Sequence, residues 1–257
     1  LGDEKFTIFV AMRKFFNRTE INIVLSPEGS KRETVIRAVA RTGLPADARI
    51  IYEGSRNRLG VVDGDINVKA FGRPRFPNNF VYGSIRKSKA RRSFEHALRL
   101  RALGFTTPLP YGYAEEFFSP VPGVKILRRS YYFCRQVAQP NMRLWESNGQ
   151  LEQLIEQWGA EIARLHKAGI WMKDHSAGNV LLDKDADGNF TFGYVDLNRI
   201  RFDVTDERKL MKMFKSVSTS GHFTCLLARA YARAMGKNEA EVSRQARKIF
   251  RRFNHIR

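Results

Sequence analysis

The stretch Trp171-Met172-Lys173-Asp174-His175-Ser176-Ala177-Gly178-Asn179-Val180-Leu181-Leu182, with Tyr194-Val195-Asp196-Leu197-Asn198-Arg199 after it, decides the fold of this chain. Asp174 and Asn179 stand five positions apart in a short polar loop, and Asp196 closes an apolar, strand-like run. Between them lies Asp183-Lys184-Asp185-Ala186-Asp187-Gly188, which opens like a calcium-binding loop. Position twelve of that loop would be Tyr194, where a bidentate Glu is required, so a calcium site is not expected. Asp187-Gly188, between the apolar runs 180–182 and 190–195, reads instead as the turn of a hairpin. What stands out is an ordered set of three oxygen-bearing side chains, two on a loop and one at a strand end.

Working back from this stretch, Leu151, Leu154, Ile155, Trp158, Ile162 and Leu165 form one stripe of a long helix that Lys167 and Gly169 close. Ala138-Gln139-Pro140-Asn141 reads as a linker. The first half is rich in strands. Residues 50–52, 59–62 and 66–71 form a meander split by Gly54 and by an Asp63-Gly64 turn, and residues 111–117 and 126–137 add two more strands after Pro108-Leu109-Pro110. Residues 88–103 read as a helix, with Phe94, Ala97, Leu98 and Ala102 on one face and Gly104 as its stop. Residues 20–25 alternate like a strand, residues 31–41 read as a helix ending at Gly43, and residues 207–215 are helical. These elements predict an α+β fold of two lobes, strand-rich over 48–138 and helical over 139–257. Residues 1–47 form an N-terminal extension to which the pattern assigns no role.

With 257 residues, 43% of them hydrophobic, the chain can bury a sizeable core, which excludes disorder of the whole. Cys134 and Cys225 lie far apart with no Cys-x-x-Cys or Cys/His spacing, so neither a disulfide framework nor a zinc site is expected, and a reducing cytoplasm fits. The apolar run 6–12 is short, lacks an Ala-x-Ala pattern and leads into Arg13-Lys14, so no signal peptide is expected. Forty-five Lys and Arg against 26 Asp and Glu leave a formal charge of +19. An anionic partner follows. Nucleic acid, an anionic membrane surface and a phosphorylated substrate each satisfy it, and charge alone does not choose among them.

The chemistry narrows the choice. Asp65-Ile66-Asn67-Val68-Lys69-Ala70-Phe71 alternates polar and apolar residues and sets one lysine within an apolar strand. A lysine so placed needs a partner, and Glu95 on the following helix can supply it. Lys69, Glu95, Asp174, Asn179 and Asp196 then match, in order and in kind of element, the V-A-I-K lysine, its helix glutamate, the H-R-D-x-x-x-x-N loop and the D-F-G aspartate of protein kinases. In that pattern the loop aspartate faces the acceptor hydroxyl. The asparagine and second aspartate hold Mg²⁺, and the lysine faces the nucleotide phosphates.

The chain resembles the bacterial lipopolysaccharide core kinases, the Kdo and heptose kinases related to eukaryotic-type protein kinases. The resemblance runs from about Ile51 to about Phe202 through Glu53-Gly54-Ser55-Arg56-Asn57, Asn67-Val68-Lys69, Ser88-Lys89-Ala90, Glu95-His96-Ala97, Gly104-Phe105-Thr106-Thr107-Pro108-Leu109-Pro110, Lys173 to Asn179 and Val195 to Arg199. It implies a protein-kinase-like fold with ATP and Mg²⁺ as cofactors. Asp174, Lys69 and Glu95 would be catalytic, Asn179 and Asp196 would be metal ligands, and Gly54, Ser55, Arg56, Asn57 and Lys69 would contact the nucleotide. The implied acceptor is a sugar hydroxyl of an anionic, lipid-linked saccharide, the lipopolysaccharide inner core. The implied location is the cytoplasmic face of the inner membrane, with an anionic membrane surface as a further partner, and nucleic acid is not expected.

Departures from the wider kinase pattern bear on the substrate. Gly54 is the single glycine of the loop that should cover the phosphates, Met172-Lys173 stand where His-Arg precede the aspartate, and Asn198 replaces the D-F-G glycine. No A-P-E follows Asp196, and helical sequence resumes about ten residues later, which disfavours a peptide acceptor. Two basic clusters remain: Arg86, Lys87, Lys89, Arg91 and Arg92 at the start of the Glu95 helix, and Arg244, Arg247, Lys248, Arg251 and Arg252 on an amphipathic C-terminal helix. The first suggests acceptor phosphates or lipid headgroups, with a solvated basic surface as the alternative; the second suits core packing of its apolar face ahead of lying on a membrane. His166, His175 and Ser176 are lesser site candidates, and Trp145, Trp158 and Trp171 read as core or interface residues. Rival readings are another small-molecule phosphotransferase, such as one acting on an aminoglycoside, and a catalytically silent kinase-like module that holds lipid or nucleic acid.

Overall fold

A computed structural model describes residues 6–11, 18–74, 81–82, 86–120, 124–145 and 149–254. The chain divides into two compact units: Leu1–Ala102 with Pro108–Val137, and Leu103–Thr107 with Ala138–Arg257.

The first unit is built on a seven-stranded antiparallel sheet. Its strands are β1 (Phe6–Ala11), β2 (Arg18–Leu25), β3 (Arg49–Gly54), β4 (Asn57–Val62), β5 (Ile66–Phe71), β6 (Pro110–Ser119) and β7 (Ile126–Arg135), in the order β1-β2-β6-β7-β5-β4-β3. The expected meander is therefore present as β3–β5. Phe6–Ala11 of the apolar run form β1, and β2 carries the N-terminal residues into the sheet by pairing with β6 from Arg18↔Ser119 to Leu25↔Gly112. Period-two alternation then sorts the side chains by face. Ile23, Leu25, Ile66, Val68, Ala114 and Phe133 face helix α2 (Glu33–Thr42), which buries Ile36, Val39 and Ala40 among them. Tyr113, next to Ala114, points to the other face and meets Phe94 of helix α3 (Lys89–Ala102), ring centroids 5.6 Å apart. Residues 18–42 thus complete the sheet and close one of its faces.

A short helix α1 (Pro27–Ser30) anchors this addition. Ser26 caps it through the Gly29 amide and donates its hydroxyl to Pro110 O at 2.7 Å. Gly29 is required there, because a Cβ would stand 1.8 Å from Tyr111 O.

The second unit is mainly helical. Helix α4 (Leu151–Lys167) buries Trp158, Ile162 and Leu165, as its stripe predicts. Helix α6 (Gly221–Met235) crosses it closely enough that a Cβ on Gly159 would lie 2.5 Å from that of Ala230. Helix α7 (Glu239–Asn254) lies along α6, burying Val242 and Ala246 as its apolar stripe predicts. The helix expected over 207–215 is α-helical only over α5 (Glu207–Met211) and tightens to a 3-10 turn over Lys212–Lys215.

Two small antiparallel pairs complete the unit and carry its functional loops. Strand β8 (Trp171–Met172) pairs with β11 (Ile200–Arg201), and β9 (Val180–Lys184) pairs with β10 (Phe190–Tyr194). The decoy calcium loop is the β9–β10 turn, and Asp185 Oδ1 is occupied by accepting the amides of Asp187 and Asn189. No helix among the described residues is long and apolar enough to cross a membrane.

Candidate active site

Asp174, Asn179 and Asp196 come together because two strand pairs share the work of placing them. Asp174 follows β8 by two residues, and the partner strand β11 follows Asp196 after a 3-10 turn over Leu197–Arg199. Val180 pairs with Tyr194, so the residues flanking that pair, Asn179 and Val195, are joined by Val195 N donating to Asn179 O at 3.0 Å. The segment just ahead of β6 pins the same strand end: Tyr194 N donates to Thr106 O at 2.9 Å, and the Thr107 hydroxyl donates to Tyr194 O at 2.7 Å. That gives a physical role to the Gly104–Pro110 motif read in the sequence.

Within the loop, Asn179 Nδ2 donates to Asp174 O at 2.9 Å and Ser176 N donates to the same carbonyl at 3.0 Å. Asp196 adopts left-handed backbone angles, φ 58° and ψ 48°, uncommon for a side-chain-bearing residue. Asn198, buried, donates its amide to Asp196 Oδ1 at 2.8 Å and steadies it there. Across the loop, Arg199 Nη1 donates to Asp174 Oδ2 at 2.8 Å. Asp174, Asn179, Asp196 and Arg199 line one small crevice of about 10 Å³.

His175 carries this loop from below. It is 1% exposed, and its Nε2 accepts from the Trp158 indole N–H at 3.1 Å while Nδ1 faces Met172 Sδ at 3.3 Å. Because an indole nitrogen only donates, His175 Nε2 is unprotonated and the ring is neutral. Burial pushes its pKa down to about 3, with His166 adding to the effect. His166 is likewise pushed down to about 3 by burial and by Lys237, and it packs at the helix end against Tyr231, Nδ1 to OH 3.0 Å. Both histidines are pillars of the fold. Ser176 shapes the loop through its backbone bonds to Asp174 and Asn179.

In the sheet unit, Lys69 lies on β5 opposite Leu59 and Tyr132, its ammonium 5.4 Å from the centroid of the Phe71 ring. The sequence expected Glu95 to hold Lys69. The partners the structure gives Glu95 are Lys87, Nζ to Oε2 2.8 Å, and Arg91, Nε to Oε1 2.9 Å. Partial burial works against the Glu95 carboxylate, but these two cations hold it below its ordinary pKa. Two of the five basic residues at this helix start are therefore engaged with Glu95, and its first turn carries basic residues because an acidic one follows them. Gly54 and Asn57 are a strand pair closing a two-residue turn of Ser55 and Arg56. Arg56 O accepts from Gly72 N at 2.8 Å, and Asn57 Oδ1 is buried with no hydrogen-bond partner. This is a tight hairpin, narrower than a glycine-rich phosphate loop.

The residues present fit magnesium. Among the described residues no group of three or more His, Cys, Asp or Glu side chains is gathered as a protein-made metal cage. Asn179 spends an amide N–H on Asp174 O, which leaves its carbonyl oxygen uncommitted by that bond, and it lines the same crevice as Asp196. One carboxylate and one amide oxygen suit Mg²⁺, which keeps several waters and substrate phosphates in its shell. Sequence reasoning gave no role to Arg199, Asn198 or Arg143. The first two lie in a quoted motif, but their partners are set by loop geometry that no periodicity encodes.

No family model matches the chain, and no curated protein matches its sequence. Solved structures do match. WaaP in complex with acyl carrier protein aligns with a TM-score of 0.59 and 17% identity, covering 91% of this chain and 97% of that one. ADP-bound aminoglycoside phosphotransferase APH(2'')-Ib aligns with a TM-score of 0.50 and 10% identity over 87% of this chain and 89% of that one. Their fold agrees with the protein-kinase-like fold that the sequence resemblance implies. At these identities it is the fold that is shared, and the chain has the α+β, protein-kinase-like fold.

Proposed function

We propose that this chain is an ATP-dependent phosphotransferase acting on a sugar hydroxyl, that of Kdo or heptose in the lipopolysaccharide inner core. The observation that carries the reading is the convergence of Asp174, Asn179 and Asp196 on one crevice, in a fold shared with WaaP and with an ADP-bound phosphotransferase. Asp174 holds the acceptor hydroxyl in line and takes its proton as the oxygen bonds to the γ-phosphorus and the bond from that phosphorus to the β,γ-bridging oxygen breaks, releasing ADP. Asn179 and Asp196 hold Mg²⁺, which when bound neutralises charge on the nucleotide phosphates. Lys69 meets the α- and β-phosphates, with Glu95 setting its position, and the Gly54–Asn57 turn covers the nucleotide. Arg199 fixes the orientation of the Asp174 carboxylate.

The positive charge fits an acceptor that is itself anionic and sits at the inner face of a membrane. A cationic aminoglycoside acceptor would call for acidic walls beyond the two site aspartates, and the other charged residues of the crevice are Lys173 and Arg199. The test is transfer of labelled γ-phosphate from ATP to inner-core lipopolysaccharide lacking the phosphate, read by mass spectrometry of the released saccharide. One added phosphate, dependent on Asp174, is expected. Absence of transfer to every Kdo- or heptose-bearing acceptor would overturn the reading.

A further inference from the structure

Beside Asp174 lies a cavity of about 970 Å³ lined among others by Arg143, Trp145, Asp174, Ser176, Lys215 and Phe253. That is the upper end of the usual size of a small-ligand pocket. We infer that this cavity is the acceptor subsite and that it recognises an acidic saccharide, Arg143 and Lys215 meeting the carboxylate while Trp145 and Phe253 offer faces to the sugar ring. The inference rests on the reading of Asp174 as the acceptor-facing residue, and it adds the residues that choose the acceptor.

Three observations carry it. The cavity wall includes Asp174 itself, so a ligand seated there has its hydroxyl beside the proposed base. Arg143 lies against the loop between Asp174 and Asn179: a Cβ on Gly178 would stand 3.1 Å from Arg143 Nη2. Glycine at 178 therefore leaves the guanidinium its place, and a planar fork is well suited to a carboxylate. Lys215 lines the cavity from the end of the 3-10 turn, its Nζ 5.3 Å from the centroid of the Phe253 ring.

The electrostatics agree with this geometry. Burial holds the Lys215 ammonium below its ordinary pKa, Asp174 opposes that, and Lys173, Arg199 and Lys212 add repulsion. A site where cations crowd a single carboxylate is one where a bound anion relieves repulsion. The aromatic pair suits a ligand with an apolar ring face, and Trp145 is set by an edge contact with Phe190 at 5.3 Å.

The experiment uses the Kdo disaccharide released from deep-rough lipopolysaccharide and its carboxyl-reduced counterpart as probes. They are titrated into the full chain and into Arg143→Ala, Lys215→Ala and the double variant. The same proteins are assayed for phosphate transfer and for Mg-ATP affinity. Each single variant is expected to weaken disaccharide binding about tenfold and to raise its KM in parallel, with kcat at saturating acceptor and nucleotide affinity changed less than about threefold. Arg143→Lys is expected to recover part of the loss, and the carboxyl-reduced probe to bind weakly to wild type and to be insensitive to the variants. Phosphate transfer with an unchanged KM in the double variant overturns the subsite and leaves the kinase reading standing. Binding that depends on Arg143 and Lys215 without any transfer supports the subsite and overturns the kinase reading. Equal loss of the charged and carboxyl-reduced probes overturns the assignment to a carboxylate, and failure of wild type to bind either probe overturns the subsite.

Discussion

Arg199 Nη1 and Asp174 Oδ2 lie 2.8 Å apart, joining two loops whose residues are 25 positions apart in sequence. Both side chains keep contact with water, at 50% and 35% exposure, so the pair contributes at most about 1 kcal/mol to stability. Its effect is directional. Arg199→Ala is expected to lower phosphate transfer roughly tenfold while moving the unfolding free energy by less than about 1 kcal/mol. Urea unfolding beside initial-rate kinetics checks both, and a large stability loss would make Arg199 a structural residue.

The two aspartates should fail in different ways. Asp174→Asn keeps Mg-ATP binding but loses transfer by roughly a hundredfold or more, because a neutral amide cannot take the hydroxyl proton. Asp196→Ala loses transfer and also the Mg²⁺ dependence of nucleotide binding, since Asn179 alone is a weak neutral ligand. Calorimetry of nucleotide binding with and without Mg²⁺ separates the two. Near-normal transfer by Asp174→Asn would remove the loop from the chemistry.

Glu95 presents a choice of partners. If its working role is to position Lys69, then Glu95→Gln and Lys69→Met each lower transfer by about a hundredfold, while Lys87→Met and Arg91→Met stay within about threefold of wild type. If Lys87→Met and Arg91→Met are as damaging as Glu95→Gln, the ion pairs seen in the structure are themselves the working arrangement.

The buried histidines make stability depend on pH. His166 and His175 have an ordinary pKa of 6.5 and are held down to about 3 in the fold, so between those values the unfolded chain binds protons that the native state does not. Their contribution is complete above the unfolded value and is lost as pH falls towards the folded one. The urea midpoint should therefore drop between about pH 7.5 and about pH 5, and His166→Phe should flatten part of that slope. A midpoint indifferent to pH in this window would place a charged histidine in the native core.

The N-terminal residues should be integral to the sheet unit. Ile36 is fully buried where α2 meets the sheet, and Ile36→Ala should cost about 2–5 kcal/mol. A loss below about 1 kcal/mol would mean that α2 is a dispensable cover.

Much of this protein could be read from residue order, for reasons of local physics. Period-two alternation marks β5 and with it Lys69, and the apolar stripe of α4 with its terminal glycine marks that helix. The spacing of Asp174 and Asn179 together with the strand before Asp196 marks the loop, because Asn179 and Asp196 flank a strand pair whose register is local. The Asp187-Gly188 turn follows from the same local rules.

Other features were settled by contacts between residues distant in sequence, and no local pattern encodes them. Residues 20–41 carry strand and helix signals, yet nothing in them says that β2 pairs with a strand about ninety residues later or that α2 seals the face holding Ile66 and Val68. His175 is a lesser site candidate in the sequence. Only the packing of Trp158 over it, with an indole N–H that must be accepted, makes it neutral and structural. Glu95 was legible as a helix carboxylate; Arg91 is its i,i+4 neighbour on the same helix, while Lys87 reaches it through the way the chain enters that helix. The placement of Arg199, Arg143 and Lys215 near Asp174 is purely tertiary: they arrive from three separate elements, and long flexible cations take their partners from whatever the fold brings within reach.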